Sequence, residues 1–244
     1  MEVRVWRVRP SEMTTPVAMS SQYASTERLA TRRSVWGPGP EGVSPIDVLR
    51  QTIVDTHPGA VVEIGCGTGD LARSVLDELP YVKYVATDLS PGMVASATAL
   101  GVTAVVAPAD DLPFPDASFD VAVAAWMLYH VPDLDSAVRE LRRVLRPGGL
   151  LVAATNSEEH LADLRREAGG EPFVTQFTSE NAERVLGRHF SQVTRRDVET
   201  RAHFDDHAAA AAYLATFDVE LSRALPPFDG PRAYAGGTAI LTAR

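Results

Sequence analysis

A single cysteine, Cys66, occurs in 244 residues. No intramolecular disulfide can form, which excludes a disulfide scaffold and fits a reducing, cytoplasmic setting. Long apolar runs are missing as well. The longest, Val121–Tyr129, is closed by Asp120 and His130 and falls short of the roughly 18 residues a membrane helix needs. Arg4, Arg7 and Arg9 near the start are followed by no apolar core, so the segment does not read as a secretory signal. Positive charge is scarce, with Lys+Arg 23 against Asp+Glu 32 and a formal net charge of -9. Such a surface repels phosphates, so neither nucleic acid nor a membrane is expected as a partner. What remains is ordinary: 45% hydrophobic and 23% charged residues, the balance of a globular protein. A chain of this length buries about 70–75% of its unfolded surface. One large domain, or one domain with a subdomain, is expected, as a monomer or homodimer.

Residues 1–20 mix Arg, Pro, Ser and Thr without periodicity and read as a flexible arm, in which Met13 and Met19 are alternative translation starts. Residues 21–244 read as a single domain, opening with lid helices over 21–57. The spacing suggests a helix over Gln22–Trp36, and Gly37-Pro38-Gly39-Pro40-Glu41-Gly42 reads as a hinge or loop. Ser44-Pro45 is a helix start, with Ile46, Leu49, Ile53 and Val54 facing inward. Strands and helices then alternate. The strands are Ala60–Ile64, Tyr81–Asp88, Val102–Ala107, Asp120–Ala125 and Leu150–Ala154. The helices are Asp70–Leu79, a Ser90-capped helix to Leu100, and an Asp133-capped helix ended by Pro147-Gly148-Gly149. This alternation predicts an α/β fold, a doubly wound and mostly parallel sheet of seven strands with helices on both faces. Its ligand crevice should lie at the carboxyl ends of the strands, where the strand order reverses. Strands at Phe190–Val198 and Thr238–Ala243 follow, with a helical insertion at Asp205–Leu225 before the last.

The chemistry concentrates where the first core strand ends, at Glu63-Ile64-Gly65-Cys66-Gly67-Thr68-Gly69-Asp70. Glycines allow a tight turn and close approach of a ligand to the backbone, and the following helix aims its N–H groups into the crevice. The dinucleotide fingerprint G-x-G-x-x-G needs a glycine where Asp70 stands. A carboxylate there repels a pyrophosphate, so a nicotinamide oxidoreductase is disfavoured. Asp88 ends the next strand, where an acid can grip two ribose hydroxyls.

The E-x-G-x-G-x-G pattern resembles motif I of the class I S-adenosylmethionine (SAM) methyltransferases. The resemblance continues through Asp88, Leu112-Pro113-Phe114-Pro115-Asp116-Ala117-Ser118-Phe119-Asp120, Met127-Leu128-Tyr129-His130-Val131-Pro132 and Leu145-Arg146-Pro147-Gly148-Gly149, spanning about residues 60–156. Within that family it is most similar to the ubiquinone/menaquinone-biosynthesis type and its secondary-metabolism relatives. The resemblance implies SAM as cofactor, S-adenosylhomocysteine as product, no metal, and a small-molecule acceptor. It implies a cofactor site of Glu63, Gly65, Cys66, Gly67, Gly69, Asp88, Leu89, Met93, Ala109, Asp110 and Ala125. Where the family usually has an adenine-binding acid this chain has Pro108, which leaves Asp110 two residues on, or the backbone at Ala109, to take its place.

Cys66 reads as packing in the loop. No Pro-Cys nucleophile and no Asp/Asn-Pro-Pro-aromatic motif occurs, which argues against nucleobase methylation. His130 can serve as a base and Tyr129 as an acceptor contact, since both follow the fourth core strand. Trp126 and Asn156, together with Tyr23 and Arg32 of the lid, are acceptor-side candidates. The pairs Arg142-Arg143 and Arg195-Arg196 read as solvated faces. Two alternatives stay open: a SAM-fold enzyme without methyl transfer, and a SAM-binding accessory protein.

Overall fold

The computed structural model describes residues 34–244. Eight strands form one mixed sheet: β1 (Trp36–Pro38), β2 (Ala60–Ile64), β3 (Lys83–Asp88), β4 (Thr103–Val106), β5 (Phe119–Ala125), β6 (Leu145–Asn156), β7 (Val193–Phe204) and β8 (Arg232–Ala243), in the order β1-β7-β8-β6-β5-β2-β3-β4. Among the described residues the helices are α1 (Pro45–Asp55), α2 (Asp70–Glu78), α3 (Pro91–Ala99), α4 (Leu134–Val144), α5 (Ala162–Glu167), α6 (Ala182–Leu186), α7 (His207–Ala215) and α8 (Val219–Ala224). The segment β2 to β6 pairs in parallel, whereas β8, β7 and β1 add on antiparallel. The strand order reverses between β5 and β2, and the glycine turn opens there.

Side-chain alternation builds the layers. Val62 and Ile64 face a core closed by α4 and α6. Val61 faces the opposite core, closed by α1, α2 and α3. A third cluster joins α5, α7 and α8 to Ala202, Phe204 and Tyr234 of β7 and β8. The parity of β7 and β8 puts this third cluster on the same sheet face as the second, because Val198 and Ile240 belong to the second.

The departures from the sequence reading have local causes. The sheet has eight strands rather than seven, because Trp36–Pro38 pairs with Thr200–Ala202 instead of ending a helix or forming a hinge. Pro38 is tolerated because β1 is an edge strand, with one neighbour only. Ile46 lies exposed while Val48 is buried in its place. The Pro147-Gly148-Gly149 segment does not precede β6 but lies inside it, opposite a register shift between Phe119 and Val121. That bulge turns Asp120 out of the ladder, and its carboxylate accepts the N–H groups of Gly59 (2.9 Å) and Ala60 (2.8 Å). The expected 205–225 helix is two helices, because the Asp218 side chain accepts Leu221 N–H (3.0 Å) and caps a new start. Tyr23, Arg32, the arm and residues 21–33 of the lid lie outside the described residues.

Candidate active site

Five strand ends line up along the carboxyl edge: Asn156 (β6), Ala125 (β5), the glycine turn (β2), Asp88 (β3) and the segment to Asp110 after β4. Most of the sequence-predicted site residues within 34–244 therefore converge on one crevice.

The turn is shaped by close contacts. Gly65 has φ +66°, and a Cβ there would lie 2.7 Å from Met127 Cβ. Gly69 begins α2 at φ +85°, where a Cβ would lie 2.7 Å from Ala97 Cβ, so it sets how closely α2 and α3 pack. The Thr68 hydroxyl donates to Asp70 at 2.5 Å, which places a carboxylate at the start of α2. The helix N-terminus is thereby supplied with negative charge from within the chain.

Asp88 joins the parts of the site. One carboxylate oxygen accepts Gly67 N–H and the other Ser90 N–H, each at 2.9 Å. Lone pairs of an ionised carboxylate remain for two further donors. Beside it Leu89 is 45% exposed, a large apolar side chain kept in solvent at the crevice. Met93 is buried beneath, in the first turn of α3, and its N–H reaches Ser90 Oγ at 3.4 Å. Ala109 is partly buried and Asp110 is exposed. A carboxylate with free lone pairs next to an apolar side chain and a backbone turn has the chemistry that fits an adenosyl group.

Glu63 lies beneath the turn, 2% exposed, and accepts the Tyr84 hydroxyl at 3.0 Å. Burial first, and then the Glu63 charge, push the Tyr84 phenol well above its usual value. Cys66 is buried, and its N–H donates to Thr87 O at 2.9 Å. Burial, with Glu63 and Asp88 adding to it, raises its thiol pKa far out of the reactive range. Cys66 is packing, as read from the sequence.

Just after β5, Trp126 has φ +52°, a conformation unusual for a bulky residue. It carries the indole across to β6, where Nε1 donates to Asn156 Oδ1 at 3.0 Å. The Thr238 hydroxyl donates to the same oxygen at 3.2 Å. Tyr129 and His130 form a short 3-10 turn with ring centroids 4.3 Å apart, and Tyr129 packs on the α4 core.

The loop between β4 and β5 is held by a clamp that the sequence reading missed. Arg143 is not a solvated arginine. It donates to Phe114 O (2.8 Å), Leu112 O (3.1 Å), Asp116 (2.8 Å) and Glu140 (2.6 Å). Glu140 in turn accepts Leu112 N–H at 2.9 Å. Only the i, i+3 spacing of Glu140 and Arg143 hinted at this pairing. Burial alone would raise the Glu140 pKa, but Arg143 and the Leu112 N–H outweigh it and hold it below the usual range. A lowered folded-state pKa stabilises the fold above the unfolded pKa, and that gain disappears as pH falls through the folded value. Glu140→Gln is therefore expected to lower stability at neutral pH by about 1–2 kcal/mol. The difference from the parent should shrink below about pH 4. Urea melts at stepped pH check this, and a difference constant with pH would refute it.

Residues 62–153 match the family model of a methyltransferase domain. Among curated proteins, a malonyl-[acyl-carrier protein] O-methyltransferase of Halorhodospira halophila is 30% identical over 175 residues, covering 64% of this chain and 59% of that one. A demethylmenaquinone methyltransferase of Thermus thermophilus is 38% identical over 105 residues, covering 41% of this chain and 48% of that one. The chain thus spans about half the length of the curated relatives it matches. Among solved structures, the YcgJ protein of Bacillus subtilis superposes with a TM-score of 0.60 at 18% identity, covering 80% of this chain and 97% of that one. That likeness establishes the Rossmann-like fold.

Proposed function

We propose that this chain, which carries a methyltransferase domain of the class I SAM-dependent type, moves the SAM methyl group to a small-molecule acceptor. The observation that carries the reading is the convergence of the glycine turn, Asp88 and exposed Leu89 at the strand-order reversal, beside the Trp126–Asn156–Thr238 chain. The relatives named above act on an acyl-carrier-bound malonyl group and on demethylmenaquinone. Both of those acceptor groups are small, which supports a small acceptor here.

SAM supplies a methyl group already activated by the sulfonium. The protein's residues hold and orient. Asp88 holds the ribose hydroxyls, with Leu89 and Met93 along the base and Ala109 and Asp110 at its edge. Gly65, Cys66, Gly67 and Gly69 carry the backbone past the methionine end, with Glu63 bracing the turn from below. Ala125 closes the floor. Trp126, Asn156, Tyr129 and His130 face the acceptor. Alignment of nucleophile, methyl carbon and sulfur, with water excluded, contributes about 7–11 kcal/mol to such reactions. A base is needed only where the acceptor loses a proton, and we assign that role to His130.

Calorimetric titration with SAM, S-adenosylhomocysteine and NADH, followed by acceptor screening with S-adenosylhomocysteine release as readout, tests the assignment. Binding of the first two, none of NADH, and acceptor-dependent release are expected. Binding without release for any acceptor would favour an accessory role. Absence of SAM binding would overturn the reading.

A further inference from the structure

Between two apolar clusters on one sheet face lies a row of polar and small residues. Val198 and Ile240 mark the edge of one cluster, and Ala202, Phe204 and Tyr234 that of the other. Strand pairing places Asn156 beside Thr238 and Thr200 beside Gly236 in the gap, with Trp36 opposite Ala202 at the edge. This stretch lies next to the carboxyl end of β6, on the acceptor side.

Three features of the row are unusual. Thr200 is 4% exposed, and its hydroxyl is the buried side-chain atom among the described residues that has no hydrogen-bond partner. An orphaned buried hydroxyl is disfavoured and calls for an explanation. Second, Gly236 leaves room that its neighbours use: a Cβ there would lie 2.5 Å from the Thr200 hydroxyl and 2.4 Å from the Trp36 ring. Third, His160 stacks on Trp36, with centroids 4.5 Å apart and planes at 29°. Its Nδ1 lies 3.1 Å from Gly237 O, a carbonyl that can only accept, so Nδ1 carries the proton. Nε2 is then left as an acceptor. Burial pushes this imidazole down to about 4, so it is neutral at physiological pH. The sequence reading passed over this histidine, because nothing in its neighbours marks it.

We infer that Thr200 and His160, gathered around Gly236-Gly237 and flanked by Trp36, form a specificity subsite for a neutral, hydroxyl-bearing acceptor with a flat apolar body. The inference rests on the methyltransferase reading and adds the acceptor class. His160 Nε2 can receive a ligand O–H but cannot pair with an anion. The Thr200 hydroxyl takes the ligand oxygen as its missing partner, and the Trp36 face covers the ring. A carboxylate or phosphate would meet the His160 lone pair, and among the described residues the row holds no cation to offset its charge. The Trp126–Asn156–Thr238 chain links the subsite to the strand ends where the methyl group is expected.

Matched probes separate the chemistries: naphthol, its methyl ether and naphthoate, titrated by ligand-observed NMR with and without S-adenosylhomocysteine. Naphthol is expected to bind about tenfold tighter than either of the others. His160→Phe keeps a ring on Trp36 but removes Nε2, and should abolish the preference. Thr200→Val is the second variant. It should raise the melting temperature by about 2–4 °C, because a desolvated hydroxyl is removed, while weakening naphthol severalfold. S-adenosylhomocysteine affinity should be unchanged in both variants. Equal binding of the three probes, binding of none, or a preference that survives both variants would overturn the subsite. So would a lower melting temperature for Thr200→Val, which would mean the hydroxyl is already satisfied. Failure of the parent to bind S-adenosylhomocysteine would instead strike the methyltransferase reading, and the cofactor-free arm still reads the subsite.

Discussion

Replacing Asp88 with alanine is expected to reduce SAM affinity by about 10²–10³-fold. The carboxylate is proposed to accept both ribose hydroxyls, and charge-assisted hydrogen bonds contribute about 1.5–3 kcal/mol each. Two of them lie in the range of two to four decades, and the lower part applies because Asp88 is only partly buried. The substitution also removes the acceptor for Gly67 N–H and Ser90 N–H, so the turn loosens against the start of α3. Asp88→Asn separates the two effects. Its single amide oxygen can keep one backbone bond but not both, and it lacks the charge. Calorimetry on the parent and both variants makes the comparison. Affinity unchanged in Asp88→Ala would remove Asp88 from the cofactor site, whatever happened to stability.

The second large effect is expected at Gly65. Gly65→Ala and Gly148→Ala impose the same kind of strain, since the two glycines have φ +66° and +78°. Left-handed backbone costs an alanine about 1–2 kcal/mol. A Cβ at Gly148 meets nothing within 4 Å, whereas one at Gly65 would lie 2.7 Å from Met127 Cβ and 2.9 Å from its Cγ. Met127 follows the strained Trp126, so relief of the clash must push on the acceptor-side segment. Overpacking of this kind adds about 1–3 kcal/mol. Gly148→Ala should therefore stay near the strain value and keep full SAM affinity. Gly65→Ala should lose about 2–5 kcal/mol of stability, with SAM affinity down at least tenfold. Denaturant melts and calorimetry on the pair decide it. Equal destabilisation of the two variants would mean that Met127 yields freely and that the turn has no tight neighbour.

Much of the core was legible along the chain because its determinants are local. The strand β2 is observed with the bounds its apolar run predicts, Ala60–Ile64. The Asp133 cap is formed, its side chain accepting Ser136 N–H at 2.9 Å. Asp88 and the glycine turn stand at adjacent strand ends because β-α alternation with right-handed crossovers leaves few other arrangements. The last third was less legible. The start of β1 was hidden by its Gly-Pro content, which is turn-like in isolation and acceptable only once β7 offers an edge. The Asp205–Leu225 segment is rich in alanine, and its break at Asp218 depends on a side chain choosing a cap over helix continuation.

Sequence alone determined the strand–helix alternation of the core, the glycine turn at the end of its first strand and the strand-terminal acid Asp88 beside it. Each follows from short-range rules: turn glycines, a strand-terminal acid, and the helix starts that follow them. Tertiary structure decided the rest. That Arg143 holds the loop through Leu112 and Phe114 rather than facing solvent required α4 to lie against it. That His160 stacks on Trp36 and bonds Gly237 required three segments, distant along the chain, to meet at one sheet edge. That the Thr200 hydroxyl is left without a partner depends on what fails to surround it. Contacts between segments far apart in sequence leave no periodicity or motif in either segment, so only the folded arrangement could reveal them.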